Sequence, residues 1–264
     1  MKISVLMENT AVLHEFQAEH GLSLYLETGR HKILFDTGQS GAFAENAKRL
    51  GVDLAAVDLA VLSHGHYDHG GGLKTFLSLN RSAPVYLSRY AFEEHLNPAG
   101  QYNGLDPELA DNPQLIPVGD FRKLDKGIEL FSCNDRERRF KINPSGLAVR
   151  RDGSVYPEDF RHEQYLLVDE NGMRFLFTGC SHKGVVNLTE WFLPDVLIGG
   201  FHFMKLEPKK DAGKKALDET ARELLRHNTV YYTCHCTGAD SYAYLKAKMG
   251  DRLYYLSAGQ TLEL

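Results

Sequence analysis

Residues 63–69 read Ser-His-Gly-His-Tyr-Asp-His, and three glycines follow them at 70–72. This run places three histidines and one aspartate within six residues, and all four side chains bind a borderline metal such as zinc. The apolar segment Leu59–Leu62 precedes the run and has the composition of a short strand. A tight loop at a strand end brings donors together at little cost in entropy. The chain is therefore expected to fold so that a strand ends at a metal site.

The spacing of these donors predicts two neighbouring metal ions. His64 and His66 are two residues apart, so in an extended segment they point the same way and can share one ion. Gly65 lets the backbone turn between them. Asp68 and His69 can then face a second ion, and two ions roughly 3.5–4 Å apart clamp the oxygens of a displacement reaction. A surface loop without metal is the alternative, but the strand before the run and the glycines after it favour a metal site.

Short apolar runs alternate with turn signals along most of the chain. This pattern predicts strands at Ile3–Met7, Ser23–Glu27, Lys32–Phe35, Leu59–Leu62, Val85–Leu87, Gln164–Asp169, Arg174–Thr178, Val196–Ile198 and Thr229–Tyr232. It predicts helices at Ala42–Leu50, Leu73–Leu79, Val185–Trp191, Ala212–His227 and Ala239–Met249. Asn171-Gly172 predicts a hairpin turn between two of the strands. The order of the elements predicts an α/β chain whose sheets are covered by helices on both sides.

The 264 residues are expected to form a single domain, with a lid or insertion at about 97–125, the least periodic stretch. A formal net charge of -5 and a pI near 6.2 argue against a nucleic-acid binder, but they allow a small anionic substrate. No apolar run reaches the length of about 18 residues that spans a membrane. The N-terminal segment is typical of a strand rather than a signal peptide, so a cytoplasmic location without a membrane partner is expected. Four cysteines do not indicate a disulfide scaffold.

The histidine run resembles the signature of the metallo-β-lactamase superfamily, and the resemblance extends over nearly the whole chain. It implies a four-layer αββα sandwich, of class α/β (α+β), with the site at one edge of the two sheets. It implies His64 and His66 on the first ion, and Asp68 and His69 on the second ion or around the nucleophilic water. The segment 34–38 resembles an early strand-turn segment of the family, in which Asp36 supports the histidine loop from behind. An ordinary turn aspartate is the alternative for Asp36.

The resemblance also requires donors from later strand ends. His182 is the expected third histidine of the first ion, and His235 is the expected last ligand of the second ion. Many family members have an aspartate where this chain has Cys180, so Cys180 either binds a metal as thiolate or packs near it. Cys234 and Cys236 flank His235 and are expected to pack beside the site.

A narrower resemblance is to the group of dihydropterin-methyl-aminobenzene ribofuranosyl phosphate synthase-like proteins, most of which are described only as metal-dependent hydrolases. The named activity joins a dihydropterin diphosphate to an aminobenzene ribosyl phosphate. The segments that carry this resemblance are 8–10, 19–23, 63–69, 179–182, 199–202 and 234–238. A shared fold and metal site can host many reactions, so these segments identify the branch more firmly than its substrate.

The resemblance implies a metal-dependent hydrolase or transferase that acts on a phosphorylated or diphosphate small molecule. Two divalent ions, zinc or alternatively manganese or iron, would activate water, with Asp68 orienting it. His202, after the strand at 196–198, would stabilise developing charge or act as a general acid. Lys183 would contact an anionic group, since it is expected to start a helix. The alternatives are a structural histidine and a solvated lysine.

Two other classes of protein remain open. A di-iron redox enzyme of the same fold is one, although such enzymes usually carry an acid where this chain has His66. A non-catalytic metal-binding protein is the other, although such proteins usually lose ligands that this chain retains. The sequence leaves the oligomeric state open, and His20, His95 and His162 carry only weak signals of a functional role.

Overall fold

The structure is a computed structural model that describes residues 1–142 and 144–264. Its strands are β1 Lys2–Met7, β2 Ser23–Glu27, β3 Lys32–Phe35, β4 Leu59–Val61, β5 Val85–Ser88, β6 Glu94–Leu96, β7 Leu115–Val118, β8 Phe121–Asp125, β9 Ile128–Phe131, β10 Ala148–Arg151, β11 Ser154–Pro157, β12 Tyr165–Glu170, β13 Met173–Phe177, β14 Val196–Ile198, β15 Val230–Thr233, β16 Leu253–Tyr255 and β17 Thr261–Glu263. Its α-helices are α1 Ala42–Arg49, α2 Tyr67–Gly70, α3 Leu73–Leu79, α4 Val185–Phe192, α5 Asp211–Leu224 and α6 Ala239–Met249. Short 3-10 turns lie at Leu54–Ala56, Pro107–Leu109, His235–Thr237 and Gly250–Arg252.

The strands form two large sheets and one small one. The first large sheet has the order β17-β1-β2-β3-β4-β5-β7, and the second has the order β16-β15-β14-β13-β12-β9-β8. The small sheet has the order β11-β10-β6. Pairing is parallel from β3 through β4 and β5 to β7, and from β13 through β14 and β15 to β16. Parallel strands in the middle of each large sheet therefore end at a common edge.

Three apolar cores define four layers. The central core lies between the two large sheets and includes Ile3, Phe35, Val61, Phe177 and Ile198. A second core fills the space between the first sheet and helices α1 and α3, and a third lies between the second sheet and helices α4, α5 and α6. The predicted αββα sandwich is confirmed.

The local sequence explains why these elements form. Strand β4 is apolar at every position because a parallel strand covered on both faces needs no alternation, and all three of its residues are buried. Helix α1 buries Phe43 and Ala47 on one face, and truncating a buried phenylalanine costs about 3–5 kcal/mol. The predicted hairpin forms at Asn171 and Gly172, whose φ angles of 55° and 80° are the positive pair that a two-residue turn favours.

The stretch at about 97–125, predicted as a lid or insertion, has two different parts in the structure. Most of residues 115–125 lie in strands, because β7 is an edge strand of the first large sheet and β8 is an edge strand of the second. Only the part before β7 stays outside the large sheets, and Asn97, Pro98 and Asn103 of this part line a cavity at the sheet edge. The edge strands were missed because their apolar residues alternate over only four or five positions.

None of the helices within 1–142 and 144–264 is both long enough and apolar enough to cross a membrane.

Candidate metal centre

The candidate ligands lie at the carboxyl ends of neighbouring strands. The run from His64 to His69 follows β4, Cys180 and His182 follow β13, and His235 follows β15. These strands run parallel to their neighbours in the two sheets, so the loops that follow them meet at one edge of the sandwich. The fold, rather than the local sequence alone, brings donors from more than 160 residues apart in the chain into one cluster.

Two groups of donors lie side by side at this edge. Group one consists of His64, His66 and His182, and group two consists of Asp68, His69, Cys180 and His235. Within each group, one ligand atom from each residue lies within 4.8 Å of the others. These are the residues that the histidine run and the family resemblance assigned to two neighbouring ions.

Group two is the tighter of the two groups. His69 Nε2 lies 3.2 Å from Cys180 Sγ and 3.2 Å from His235 Nε2. Asp68 Oδ2 lies 3.1 Å from His235 Nε2 and 3.7 Å from His69 Nε2. Three neutral or basic donors and one carboxylate therefore point at a common centre, with Cys180 in the place of the expected aspartate.

The donors of both groups fit divalent metal ions chemically. Nε2 of His64, Nε2 of His66 and both ring nitrogens of His182 are buried and have no hydrogen-bond partner among the residues described. Such orphaned polar atoms are costly unless something binds them. Burial lowers the pKa of His64, His66 and His182 well below the usual value and lowers that of His69 to about 3, so the rings are neutral. Neutral imidazoles, a thiol and a carboxylate are the donor set of a zinc site.

Asp36 holds the histidine run from behind. Its carboxylate accepts hydrogen bonds from the Ser63 backbone N–H, from Ser63 Oγ and from His69 Nδ1, each at 2.7 Å. Because Nδ1 of His69 is the donor in this pair, its Nε2 keeps the lone pair that faces group two. Burial raises the pKa of Asp36 well above its usual value, while the two bonds from Ser63 favour the ionised form. The structure thus places Asp36 behind the histidine run, in the position that the family resemblance implies.

His235 is held in the same manner by residues that follow β1. Its backbone N–H donates to Glu8 Oε1 at 2.5 Å, and its Nδ1 lies 2.8 Å from Asn9 Oδ1. This contact leaves His235 Nε2 free to face group two. Sequence reasoning gave Glu8 and Asn9 no role, although both lie in a segment that resembles the family branch. The available signal was their position directly after a buried strand.

His20 belongs to the site, contrary to the weak signal it carries in the sequence. Its Nε2 lies 3.3 Å from Asp68 Oδ2, and its ring centre lies 4.6 Å from that of His235. The hydrogen bond with Asp68 raises the pKa of His20 above its usual value. Burial opposes the ionisation of Asp68, but His69 and the hydrogen bonds from His20 and His235 outweigh it, so the pKa of Asp68 is held well below its usual range.

A buried polar segment before β12 was missed by the sequence analysis. The Phe160 ring stacks on His182 with centres 4.3 Å apart and an interplanar angle of 2°. Glu163 accepts hydrogen bonds from the backbone N–H groups of His182 and Lys183 at 2.7 and 3.0 Å. A third buried donor group joins His66 to His95, Glu158 and His162. Nothing local in this segment marks it, because its partners lie far away in the chain.

Several site residues have strained backbone conformations. Asp36, Ser181, His202 and His235 have φ angles of 59°, 52°, 58° and 49°. A non-glycine residue in this left-handed region costs on the order of 1–3 kcal/mol, and such residues cluster at functional sites. The close packing of the histidine run adds a second constraint, since a Cβ on Gly65 would lie 2.1 Å from Ala91 O. Gly65 is therefore required by tight packing rather than by a positive φ.

A cavity of about 190 Å³ opens over both groups. It is lined by residues of both groups and of the loops around them, which are His20, His66, Tyr67, Asp68, Asn97, Pro98, Asn103, Ser145, Leu147, Cys180, His182, His202, Met204, Lys205 and Cys236. Lys205 is the one lysine or arginine among them, and its Nζ donates to Ser145 O at 3.1 Å. The cavity is therefore a small space whose lining is more apolar than polar and which has a cation at its wall.

His202 lies at the cavity, as its predicted role requires. Its ring centre lies 4.4 Å from that of His182, and its backbone N–H donates to Cys236 Sγ at 3.2 Å. Burial, and then the charge of Lys205, lowers the pKa of His202 to about 4, so the ring is neutral near pH 7. A neutral imidazole can donate a hydrogen bond but is a poor source of a full proton. Of the two cysteines that flank His235, Cys236 lines the cavity, whereas Cys234 is buried in the central core.

The predicted substrate contact of Lys183 is wrong. Lys183 is fully buried, and its Nζ donates to the backbone carbonyls of Ser132 and Glu163 at 2.7 and 2.9 Å. Helix α4 begins at Val185, so Lys183 is not at its first turn. These hydrogen bonds stabilise the loop that contains His182, and the lysine does not line the cavity.

The chain is similar in sequence to a known protein family and to two proteins of one organism. Residues 17–203 match the family model described as the metallo-beta-lactamase superfamily. The chain is 30% identical over 217 residues to the uncharacterized protein MJ0448 of Methanocaldococcus jannaschii, with 76% of this chain and 79% of that protein covered. It is 28% identical over 268 residues to the 7,8-dihydropterin-6-methyl-4-(beta-D-ribofuranosyl)-aminobenzene-5'-phosphate synthase of the same organism, with 90% and 88% covered.

Among solved structures, the fold is similar to that of Tm1679, described as a metal-dependent hydrolase of the beta-lactamase superfamily. The TM-score is 0.84 at 29% sequence identity, and the alignment covers 100% of this chain and 99% of that chain. The similarity therefore includes every layer of the sandwich and the sheet edge that carries the donor groups.

Proposed function

Because the chain belongs to the metallo-beta-lactamase superfamily, we propose that it is a metal-dependent hydrolase or transferase acting on a phosphorylated or diphosphate small molecule. The observation that carries this proposal is the pair of adjacent donor groups, His64-His66-His182 and Asp68-His69-Cys180-His235, beneath one cavity. We propose two divalent ions there, zinc in the first place, because imidazole and thiolate donors suit zinc better than magnesium or calcium. Such ions supply Lewis acidity and a nucleophilic water near neutral pH.

Two side chains at the cavity have separate roles in the proposed reaction. Asp68, which stays ionised, can accept a hydrogen bond from an attacking water and orient its lone pair. His202, neutral near pH 7, can donate a hydrogen bond to an oxygen that gains negative charge. This part suits His202 better than that of a general acid, because its pKa of about 4 leaves no proton to give at neutral pH.

The anionic substrate is supported by two observations. Lys205 brings a positive charge to the wall of the cavity. The relative at 28% identity is named as a synthase whose product carries a 5'-phosphate. Hydrolysis and transfer differ only in whether water or another nucleophile enters, so a small phosphorylated or diphosphate compound serves either reaction.

Metal content and turnover test the proposal together. Protein purified without a metal-binding tag is analysed for metal and screened with phosphate monoesters, phosphate diesters and diphosphates. We expect about two zinc ions per chain and phosphate or diphosphate release, both lost in His64→Ala and Asp68→Ala while the folded circular-dichroism signal remains. His14→Ala, an exposed histidine outside both groups, is the matched control and keeps both.

Other results would replace the proposal. About two iron ions per chain, with oxygen or persulfide turnover, would favour the redox enzyme. Less than one ion per chain, with none regained on soaking in zinc, would favour a non-catalytic protein. Unchanged metal content in both ligand variants would overturn the assignment of the two groups.

A further inference from the structure

His182 is a ligand of group one whose ring is not fixed by a hydrogen bond. In group two, Asp36 holds the ring of His69 through a contact of 2.7 Å. Asn9 holds the ring of His235 in the same way at 2.8 Å. Such a partner on the second ring nitrogen is what usually orients a metal-binding imidazole. Both ring nitrogens of His182 are buried, and neither has a hydrogen-bond partner within the described part of the chain. The orientation of this ring therefore has another cause.

The Phe160 ring lies flat against the His182 ring. Their centres are 4.3 Å apart, their planes differ by 2°, and both side chains are buried. Three other rings of the described residues contact His182, and their planes are tilted from it by 81°, 86° and 63°; they belong to His64, His66 and His202. Phe160 is thus the one of these four rings that lies parallel to the imidazole. Because a tilt of the imidazole would drive it into Phe160 in a close-packed interior, this contact fixes the plane of the ligand.

The backbone of Phe160 has an uncommon conformation. Its φ of 58° lies in the left-handed region, which bulky side chains avoid. The Phe160 N–H donates to Glu158 Oε1 at 3.2 Å, and the Phe160 carbonyl accepts from the Glu163 N–H at 3.0 Å. Strain of this kind persists only where surrounding contacts enforce it, and it is concentrated at functional sites. These two hydrogen bonds therefore hold a strained turn that places the Phe160 ring on His182.

The same turn fixes the backbone of His182. The Glu163 carboxylate accepts hydrogen bonds from the backbone N–H groups of His182 and Lys183, at 2.7 and 3.0 Å. Lys183 Nζ donates in return to the Glu163 carbonyl at 2.9 Å. All three residues are buried, and such bonds are stronger in a low-dielectric interior than in water. Glu163 thus sets the position of the His182 backbone, while Phe160 sets the plane of its ring.

We propose that Phe160 and Glu163 are positioning residues for His182 and raise the affinity of group one for its ion. An ion on His182 draws electron density from the imidazole, which then attracts the electron-rich face of the Phe160 ring more strongly. Within the described residues, Phe160 has no hydrogen bond or ring contact with a ligand of group two. The effect of its ring is therefore confined to group one. This inference rests on the metal centre of the proposed function, but not on its substrate.

Chelator competition on the zinc-loaded protein tests the inference without turnover. His64→Ala identifies the dissociation step of group one, because His64 is a ligand of that group alone. We expect Phe160→Leu, which keeps an apolar side chain but no flat ring, to weaken that step about 10-fold and to leave the other step unchanged. Phe160→Tyr keeps the flat ring and should retain most of the wild-type affinity. Glu163→Gln, which replaces one acceptor oxygen by an amide N–H donor, should weaken the same step as Phe160→Leu.

The matched control is Phe76→Leu. Phe76 is as fully buried as Phe160, but it lies in the core between the first large sheet and its helices, so this variant makes the same change away from His182. It should leave both dissociation steps as in the wild type. A second readout is the NMR spectrum of the metal-free protein, in which the Phe160 ring current should shift the imidazole C–H protons of His182 upfield. The shift should disappear in Phe160→Leu and persist in Phe160→Tyr and Phe76→Leu.

Several results would overturn the inference. They are an unchanged group-one step in Phe160→Leu, equal losses in Phe160→Leu and Phe160→Tyr, and a comparable loss in Phe76→Leu, which would indicate general destabilisation. If Phe160→Leu does not fold, an unchanged group-one step in Glu163→Gln or the absence of the upfield shift in the wild type would overturn it instead. The expected losses of affinity without turnover of any phosphorylated compound would overturn the substrate of the proposed function and leave this inference standing.

Discussion

Asp36 Oδ2 lies 2.7 Å from His69 Nδ1, with both side chains fully buried. The pair fixes the tautomer of His69, so its Nε2 is available 3.2 Å from the opposite ligand His235. We expect Asp36→Asn to weaken the ion of group two by about 10–100-fold, because the amide holds the imidazole less firmly. Asparagine tolerates the left-handed backbone of this position, so the fold should survive.

Metal titration with a chelator competitor measures this loss. The matched control is Asp58→Asn, which alters an aspartate whose carboxylate accepts a hydrogen bond from the Lys32 backbone N–H at 2.7 Å and which lies outside both groups. Equal ion affinities in Asp36→Asn and in the wild type would show that Asp36 is an ordinary turn residue.

Cys180 should bind the group-two ion as a thiolate. Burial raises the pKa of its thiol well above the usual value, but a coordinating ion deprotonates a thiol outright. Cobalt-substituted protein should therefore show a sulfur-to-cobalt charge-transfer band in the near ultraviolet. The band should vanish in Cys180→Ser and Cys180→Asp, while Cys180→Asp still binds two ions.

The control for Cys180 is Cys133→Ser, which alters a buried thiol outside both groups. This variant should keep the band. A band that persists in Cys180→Ser, or one that was never present in the wild type, would mean that Cys180 only packs beside the ions.

The sequence predicted those residues of the site that lie close together in the chain. The run from His64 to His69 lies in one loop, and its strand, its glycines and its donors are all local signals. His182 and His235 could be predicted because each follows an apolar strand that ends in a recognisable turn. Most strands and helices followed from the pattern of apolar residues, whereas the four-layer sandwich was implied by the family resemblance.

The part that the sequence did not predict consists of contacts between distant residues. Glu8 bonds His235 across 227 positions, and Glu158 bonds His95 across 63. Whether a histidine binds a metal or orients another ligand depends on its hydrogen-bond partners. Those partners are brought to it by the packing of the two sheets, which the local sequence does not show. Lys183 was misjudged for the same reason, because its partners Ser132 and Glu163 are brought to it by other strands.

The metal-free protein should lose stability in mild acid. Burial lowers the pKa of His64, His66, His69 and His182, and that of His69 falls to about 3, whereas an unfolded histidine titrates near about 6.5. Between these values the unfolded chain binds more protons, so stability is full above about pH 6.5 and falls as the pH decreases below it. Each such histidine contributes a slope of about 1.4 kcal/mol per pH unit.

Urea unfolding of chelator-treated protein between pH 8 and pH 5 measures this slope. At pH 5 the loss is about 2 kcal/mol per histidine, so the four together approach the whole stability of a typical domain. His182→Phe removes one of these groups and should reduce the slope accordingly. An unfolding free energy that stays constant over this range would show that the rings are not buried in their neutral form.

Lys205 should contribute to the binding of an anionic substrate rather than to the chemical step. Its ammonium lies on the cavity wall, but it is exposed and is not a member of either donor group. Lys205→Ala should therefore raise KM for a phosphorylated substrate about 5–10-fold and change kcat less than twofold, as expected for one partly screened charge. Added salt should raise the KM of the wild type and have a smaller effect on the variant, because the screened charge is already absent.

Lys209→Ala, an exposed lysine outside the cavity lining, is the matched control and should behave as the wild type. A fall in kcat with unchanged KM would instead place Lys205 on the charge that develops during the reaction, and equal kinetics in both variants would remove it from substrate binding.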